Sequence, residues 1–291
     1  MPGRHLILKE KRNMKRATWM LSCLGMLAFS TEALSVSPEQ ERLNRVQAVQ
    51  QKYPDIKFED YVHGALAFSA DAKAQYENMM AFPPFESEID KGRQLWETQF
   101  NNGKRYADCF PGGGKNVVGN YPYYDETMKK VVTFEMALNQ CRTNNGEAPY
   151  KQADMNTMGL LTAYARTLSD GMLMNIKVKG GGALAAFESG RRFFYQRRGQ
   201  LNFSCASCHV DHVGEILRTE YLSMLPGQAT HWPAFRGGDY TLFTLQRRYS
   251  ACNQLVRAVP MEIGGEEYNN LEYFHSYLSN GLPLKSSVFR K

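Results

Sequence analysis

The sequence predicts a mostly α-helical protein made of two similar domains, and three observations support that prediction. Apolar residues recur at the spacing of a buried helical face over residues 39–50, 156–168, 184–198 and 266–278, and few runs alternate as strands do. A short cysteine motif stands in the second half, and a series of sequence matches recurs in the same order in both halves. The 291 residues, 43% hydrophobic and 22% charged, exclude wholesale disorder and a polytopic membrane protein.

Residues 1–35 have the pattern of a secretory signal peptide. Basic residues dominate 1–16, an apolar run covers 17–29, and Ala33 and Ser35 lie at the −3 and −1 positions of a cleavage site. An uncleaved membrane anchor is the alternative, although the run is short for a bilayer span and no later segment is suitable. We therefore predict a periplasmic protein with no membrane span in the mature chain. Without 1–35, which hold six Lys/Arg and two Asp/Glu, the formal charge falls from +6 to +2, and nucleic-acid binding loses its compositional support.

Export leaves five cysteines, an odd number that simple disulfide pairing does not account for. Cys205, Cys208 and His209 form a Cys-x-x-Cys-His motif. This spacing lets two thiols attach to one haem while the adjacent His reaches the iron, so the motif predicts one covalent haem c. A thioredoxin-like redox pair is the alternative, but it lacks a surrounding βαβ pattern, and a zinc site needs two more ligands. The second half is therefore predicted to be a cytochrome c-like domain.

The internal repeat predicts that the first half has the same fold without haem. Residues 92–96 match 190–194, and a cysteine segment follows each of them. In the first copy Tyr106 and Phe110 stand where Cys205 and His209 stand in the second. Eight residues also separate a Thr from a Cys in each copy, Thr133 from Cys141 and Thr244 from Cys252. We predict a haem-free domain over 36–178 and a haem domain over 179–291, joined near residues 178–183, where Gly180–Gly182 are predicted to be a linker.

The repeat also assigns the three remaining cysteines. Cys109 and Cys141 are predicted to form a disulfide that closes a loop of about 30 residues, worth on the order of 3 kcal/mol in the chain-entropy model. Cys252 corresponds to Cys141 but has no partner, since Cys208 is committed to haem. It is therefore placed to approach the iron on the face opposite His209. Arg248 lies one helical turn before Cys252, where a guanidinium can hold an oxyanion and favour the thiolate.

Three segments carry a resemblance to a known family: 197–201, 204–209 and, above all, Gln246-Arg247-Arg248-Tyr249-Ser250-Ala251-Cys252-Asn253. Together with the degenerate first half, they resemble the SoxA family, the catalytic subunits of thiosulfate-oxidising SoxAX cytochrome complexes. The resemblance extends over nearly all of the chain after residue 35. Some members carry a second Cys-x-x-Cys-His motif in the first half. The sequence departs from these at Tyr106 and Phe110 and resembles the single-haem type.

The resemblance implies an L-cysteine S-thiosulfotransferase activity. Family members transfer thiosulfate to a cysteine of the carrier protein SoxYZ and pass two electrons to cytochrome haem, with SoxX as the small haem partner. In this sequence Cys252 would then be the catalytic cysteine persulfide and an axial iron ligand, with His209 as the other ligand. Arg248 would bind thiosulfate and Arg247 would add positive charge.

Two other interpretations remain. If Met224 or Met261 ligates the iron, Cys252 is an ordinary thiol and the protein is an electron-transfer cytochrome c with His/Met ligation. In the second interpretation, the protein is a cytochrome-like structural subunit without a catalytic thiol. His212 is expected to be solvated rather than a ligand. Trp232 and Phe235 are expected to pack in the core or on the haem, and Arg236 to meet a haem propionate or solvent.

Overall fold

Helices make up most of the architecture, which confirms the predicted mostly α fold class. The structure is a computed structural model that describes residues 36–286 and 288–290. The predicted signal peptide lies outside these residues. The described chain contains eight α-helices: α1 (Pro38–Lys52), α2 (Ala70–Met80), α3 (Glu86–Glu97), α4 (Phe134–Asn144), α5 (Leu160–Thr167), α6 (Gly180–Tyr195), α7 (Leu245–Leu255) and α8 (Glu266–Leu278).

Short elements connect the α-helices. Turns of 3₁₀-helix occupy Phe58–Phe68, Tyr106–Cys109, Pro111–Gly114, Val118–Asn120 and Gln228–His231, and π-helical turns occupy Met155–Gly159 and Ser207–Asp211. The strands are β1 (Tyr123–Asp125), β2 (Lys130–Val132), β3 (Ile216–Leu217), β4 (Glu220–Tyr221), β5 (Ala234–Arg236), β6 (Thr241–Phe243) and β7 (Val288–Arg290). β1–β2, β3–β4 and β5–β6 are antiparallel hairpins, and β7 adds to β5 in parallel. Among the described residues, no helix is long and apolar enough to cross a bilayer.

The order of elements in the first half recurs in the second. In each half a helix leads, through the cysteine segment and a cis X-Pro bond, to a β-hairpin, a helix that begins after a capping Thr, and a final helix. The side chains of Thr133 and Thr244 accept hydrogen bonds from the backbone N–H groups of Met136 and Arg247, which satisfies a donor at the start of α4 and α7. The predicted domain boundary at 178/179 falls in the extended stretch before α6.

Glycine allows the helices that begin and end each repeat, α3 with α5 and α6 with α8, to meet at their backbones. A Cβ atom at Gly92 of α3 would lie 2.2 Å from the carbonyl oxygen of Leu160 in α5. At Gly190 of α6, the same atom would lie 2.0 Å from the carbonyl oxygen of Asn270 in α8. Both distances are far below van der Waals contact, so neither position tolerates a side chain without a shift of the helices. The two glycines match in the sequence repeat, and each permits the same close contact between two helices.

The glycine run at 180–182 corrects one expectation. The sequence predicts a linker at Gly180–Gly182, but α6 begins at Gly180 and includes all three residues. The reason is again close packing, since a Cβ atom at Gly182 would lie 2.5 Å from the hydroxyl oxygen of Tyr124 in β1. The helix predicted over 184–198 also ends earlier, at Tyr195, where Gln196 turns extended and Arg198 bridges to Phe203.

The N-terminal segment, residues 36–68 before α2, packs against the second half of the chain. Tyr195 donates a hydrogen bond of 2.8 Å to the Glu41 carboxylate in α1. Tyr53 and Lys52 at the end of α1 both donate to the Val213 carbonyl, which follows the cysteine motif. A small buried cluster joins this segment to the second half and comprises Val49, Tyr61, Val62, Val213, Met224 and Leu282. The segment thus stabilises the loop after His209 from outside.

A small cavity lies where the two halves meet. Its lining takes repeat-equivalent residues from both halves, 110 or 111 positions apart: Val118 with Ala229, Tyr121 with Trp232, Phe134 with Leu245, Thr162 with Glu272, and Arg166 with Ser276. Glu135 also lines it. The equivalent polar residues differ in charge, so the cavity holds an asymmetric group of Glu135, Arg166 and Glu272. Arg166 donates to the carbonyls of Ala229 and Thr230, and Glu272 accepts from Gln246.

The buried Glu272 carboxyl should make stability depend on pH. Burial, and then the charge of Glu135, raise its pKa to about 8, whereas in the unfolded chain its pKa is near 4.5. The folded protein therefore binds the extra proton, and this stabilisation is lost as pH rises from about 4.5 through about 8. We expect Glu272→Gln, which keeps an acceptor for Gln246, to flatten the fall in unfolding free energy, by up to ~1.4 kcal/mol per pH unit.

Urea unfolding at pH 5, 6, 7 and 8 measures this effect as the difference between wild type and variant. The matched control is Glu267→Gln, an exposed carboxylate on the same helix, which should keep the wild-type slope. Parallel curves for wild type and Glu272→Gln would contradict the prediction.

The helix crossing gives a second prediction. Gly190→Ala should lower the unfolding free energy by about 1–3 kcal/mol or more, because the added methyl group forces α6 away from α8. Gly181→Ala in the same helix has open space around its Cβ atom, and it should be neutral or stabilising, since Ala is a better helix former. Urea midpoints followed by circular dichroism compare the two variants, and equal midpoints would refute the role of the crossing.

Candidate functional site

The cysteine motif forms a tight turn directly after the loop that follows α6. Ser204 and Ser207 bond each other through their hydroxyl groups and backbone N–H groups, which closes the turn. Cys205 and Cys208 are free thiols within it. Burial raises the pKa of Cys205 to about 12, and burial also raises the pKa of Cys208. Both sulfurs are therefore neutral at pH 7, which suits conversion to uncharged thioethers.

His209 is oriented by its Nδ1 atom. That atom lies 2.9 Å from the backbone carbonyl oxygen of Ser223. Since a carbonyl only accepts, Nδ1 carries the proton and Nε2 keeps its lone pair. Burial lowers the pKa of His209 to about 4, so the ring is neutral at pH 7. A neutral imidazole with a free Nε2 and an anchored Nδ1–H is the form that ligates iron.

Cys252 lies on α7 and faces the same region. It is a free, partly buried thiol. Its charged form would raise the pKa of both Cys205 and Cys208, so the three sulfurs lie within electrostatic reach of one another. α7 is fastened to α8 around this position, because the Asn253 amide bridges the Tyr249 carbonyl and the Tyr268 hydroxyl. The structure therefore brings the motif and the odd cysteine together.

Arginines surround this group of sulfurs. Arg248, one turn before Cys252 on α7, is close enough to His209 to lower its pKa. Arg236 at the end of β5 lies within electrostatic reach of Arg248 and Cys252: burial and then the charge of Arg248 lower its pKa, whereas the charges of Glu220, Asp239 and Cys252 raise it. Two cations held together in a partly buried site favour an anion between them.

Two other arginines stack on aromatic rings. The Arg247 guanidinium lies 4.5 Å from the ring centre of Phe243, so part of its side chain is committed to packing. Arg198 lies 3.6 Å from the ring centre of Phe193 and interacts with the charge of Cys205. Arg198 stands in one of the segments that carry the family resemblance, and no motif in the sequence marks it as a site residue. The sequence predicts Arg236 at a haem propionate or in solvent, and the structure places it within electrostatic reach of Cys252.

The residues around the motif fit a haem. Besides two thiols and a correctly oriented His, two buried nitrogen atoms close to the motif have no hydrogen-bond partner in the described chain: Nε of Arg198 and Nε2 of His275. The other ring nitrogen of His275, Nδ1, shares a hydrogen bond of 2.7 Å with the Tyr249 hydroxyl, and His209 lies close enough to contribute to the lowered pKa of His275. Orphaned polar atoms of this kind indicate a further polar group in the site.

In the first half, a disulfide and aromatic rings take the place of these groups. The structure joins Cys109 to Cys141. Trp96 stacks on Tyr106 and on Phe110, the residues at the positions of the missing Cys and His, with ring centres 5.5 and 5.7 Å apart. These rings fill the centre of the first half, where the second half has its free thiols.

The remaining candidate residues have ordinary surroundings. His212 is exposed and pairs with Glu215 at 3.0 Å, as expected. Met224 is fully buried in the cluster that joins α1 to the second half, directly after Ser223. Met261 donates its backbone N–H to Tyr268, and its side chain packs against the main core. Trp232 and Phe235 are buried, as expected.

The fold and the site together define a c-type cytochrome, and the comparisons agree. The model of the family "SoxA/TsdA, cytochrome c domain" matches residues 91–174, within the first half. The L-cysteine S-thiosulfotransferase subunit SoxA of Chlorobaculum tepidum is 42% identical over 82% of this chain and 83% of its own length. The same subunit of Allochromatium vinosum is 40% identical over 88% of this chain and 92% of its own.

A solved structure shares the fold. The crystal structure of SoxXA from P. pantotrophus superimposes with a TM-score of 0.68 at 27% identity, over 75% of this chain and 84% of that one. The chain belongs to the SoxA family. Membership of a cytochrome c family implies covalently bound haem c.

The disulfide should contribute to stability without supporting the haem site. The double variant Cys109→Ala/Cys141→Ala loses a cross-link over 32 positions. We therefore expect its free energy of unfolding, measured by urea titration, to be about 3 kcal/mol lower than that of wild type. The single variant Cys141→Ala loses the same cross-link and should unfold at nearly the same urea concentration. A double variant as stable as wild type, or one that binds no haem, would contradict this role.

Proposed function

We propose that this chain is the catalytic subunit of an L-cysteine S-thiosulfotransferase that joins thiosulfate to a cysteine of a SoxYZ-like carrier protein. The overall reaction is carrier–SH + S₂O₃²⁻ → carrier–S–S–SO₃⁻ + H⁺ + 2 e⁻. The observation that supports it is the odd cysteine: Cys252 lies one helical turn after Arg248 and within electrostatic reach of the motif cysteines and of Arg236. A simple electron carrier has no use for such a thiol.

One haem c would be attached covalently to Cys205 and Cys208, and His209 and Cys252 would be its two axial iron ligands. When bound, the haem supplies an acceptor for electrons and a metal centre that tunes the cysteine sulfur. The free thiols, the neutral His209 ring and the unpartnered atoms of Arg198 and His275 support this assignment. The first domain, with Tyr106 and Phe110 at the motif positions, carries the Cys109–Cys141 disulfide and no haem.

Arg248 and Arg236 bind thiosulfate. Thiosulfate is a small dianion, and two guanidinium groups offer paired N–H donors with permanent charge. Binding also relieves the repulsion between the two arginines, which is part of the reason for the lowered pKa of Arg236. Arg247 adds positive potential from the preceding position on α7, with less effect because its guanidinium stacks on Phe243.

Cys252 carries the reacting sulfur as a persulfide. The anionic form of a thiol or persulfide is the form that exchanges with other sulfur species, and Arg248 lies one turn from this sulfur on α7. The partners proposed are a SoxX-like cytochrome c in a heterodimer, the SoxYZ-like carrier, and thiosulfate, all in the periplasm after cleavage of residues 1–35. The solved SoxXA structure supports a small cytochrome partner.

Substitution of the site residues tests the proposal. With purified partner, carrier and thiosulfate, Cys252→Ala should show no turnover while keeping its haem. Arg248→Gln should lose about 10–100-fold in kcat/KM, the effect of one lost charge-assisted interaction of about 1.5–3 kcal/mol, and Arg247→Gln should lose less. The matched control is Arg191→Gln, a surface arginine paired with Glu188 at 2.8 Å, which should stay within twofold of wild type.

The intact mass of the mature, unreduced protein provides the second readout. We expect one haem, one disulfide and an extra ~32 Da on the peptide with Cys252. An unmodified Cys252, a Met-ligated haem spectrum and full turnover in Cys252→Ala would refute the proposal and favour the electron-transfer cytochrome.

A further inference from the structure

Gln228 touches the nitrogen of His209 that faces away from the proposed iron site. The amide position assigned to Nε2 of Gln228 lies 2.5 Å from Nδ1 of His209, 2.9 Å from the Ser223 hydroxyl and 3.5 Å from the Ser223 carbonyl oxygen. The side chain is buried, with 7% of its surface exposed. The Ser223 carbonyl, 2.9 Å from Nδ1, completes the group. His209 is thus held through one nitrogen by two different residues.

The donors and acceptors around Nδ1 of His209 fix the orientation of the Gln228 amide. Nδ1 faces a carbonyl oxygen, so it carries the hydrogen and can only donate. The amide atom beside it must therefore accept, which places Oε1 of Gln228 against Nδ1–H. From the same place Oε1 also accepts from the Ser223 hydroxyl. With this arrangement the Nδ1–H group of His209 has two acceptors, the Ser223 carbonyl and Oε1 of Gln228, whereas an amide nitrogen there would meet a second donor.

The backbone holds Gln228 firmly. Gly227, just before it, has a φ of 91°, and a Cβ atom there would lie 2.4 Å from the Tyr61 carbonyl oxygen of the N-terminal segment. The Gly227 N–H donates to the buried Ser279 hydroxyl at 3.1 Å, and its carbonyl accepts from Thr230 at 2.6 Å. Three parts of the chain therefore fix this position, so the amide cannot easily withdraw from His209.

We propose that Gln228 is a positioning residue for His209: it locks the tautomer with a free Nε2 and, by accepting from Nδ1–H, increases the electron donation of His209 to the haem iron. Hydrogen bonds to the outer nitrogen of a ligating His raise its basicity, and stronger donation favours the oxidised metal. The inference rests on the proposed role of His209 as a haem ligand. It assigns to one side chain a part of the control over the haem potential.

Three substitutions in the haem-loaded protein test this role. Gln228→Glu places a carboxylate against Nδ1–H and should lower the reduction potential. Gln228→Leu removes the acceptor and should raise it, and Gln228→Asn, whose shorter amide does not reach Nδ1, should behave like Gln228→Leu. We expect the equilibrium constant for haem reduction to differ at least tenfold between the Glu and Leu variants, which is 59 mV for one electron.

Redox titration followed at the Soret band measures this, with Gln254→Leu, an exposed position on α7, as the control that should match wild type. If Gln228→Leu does not bind haem, the Glu and Asn variants still decide. Equal potentials in Glu and Asn variants, or shifts in the same direction, would overturn the proposal. The readout is independent of thiosulfate turnover. If His209→Ala kept an unchanged low-spin spectrum, the assignment of the ligand would fail instead.

Discussion

The backbone contact between α6 and α8 is the constraint on which the site depends. Because Gly190 has no side chain, the two helices approach until one backbone touches the other. α6 then delivers the chain to the cysteine motif at a defined place, and α8 presents Tyr268 and His275 to α7. Those contacts orient the helix that carries Cys252. A shift of the crossing would therefore move the motif and the odd cysteine relative to each other.

The same crossing in the first half shows what the scaffold does without the motif. Gly92 and Leu160 repeat the contact, and α4 repeats the capped start of α7. The space between is filled by Trp96, Tyr106 and Phe110, and a disulfide ties the first half together. Aromatic packing and a cross-link stabilise a core by themselves. The second half has Cys205 and His209 at the positions of Tyr106 and Phe110, with unpartnered nitrogen atoms of Arg198 and His275 nearby, a set of groups that suits a further polar group in the site.

Local patterns in the sequence predict a large part of this arrangement. The predicted helix over 266–278 coincides with α8, because Leu271, Phe274 and Leu278 recur at helical spacing and glycines precede it, although the structure buries this helix on nearly every side. The motif and the repeat single out Cys205, Cys208, His209 and Cys252 because their chemistry depends on short spacings. The contact between Gln228 and His209 has no such signal, since it arises when a loop of 19 residues closes. The helical start at Gly180–Gly182 is also hidden, because it depends on Tyr124 in the other half.

The arrangement of charge accounts for how a nearly balanced chain would select a dianion in the proposed reaction. Outside residues 1–35 the formal charge is only +2, so long-range attraction is weak and is screened beyond about 8 Å in physiological salt. In the proposed site His209 is neutral, and Cys205 and Cys208 would be uncharged thioethers, so none of them would cancel the charges of Arg236 and Arg248. Burial strengthens each remaining interaction. In the proposed reaction, recognition of thiosulfate therefore takes place at short range, beside the sulfur that reacts with it.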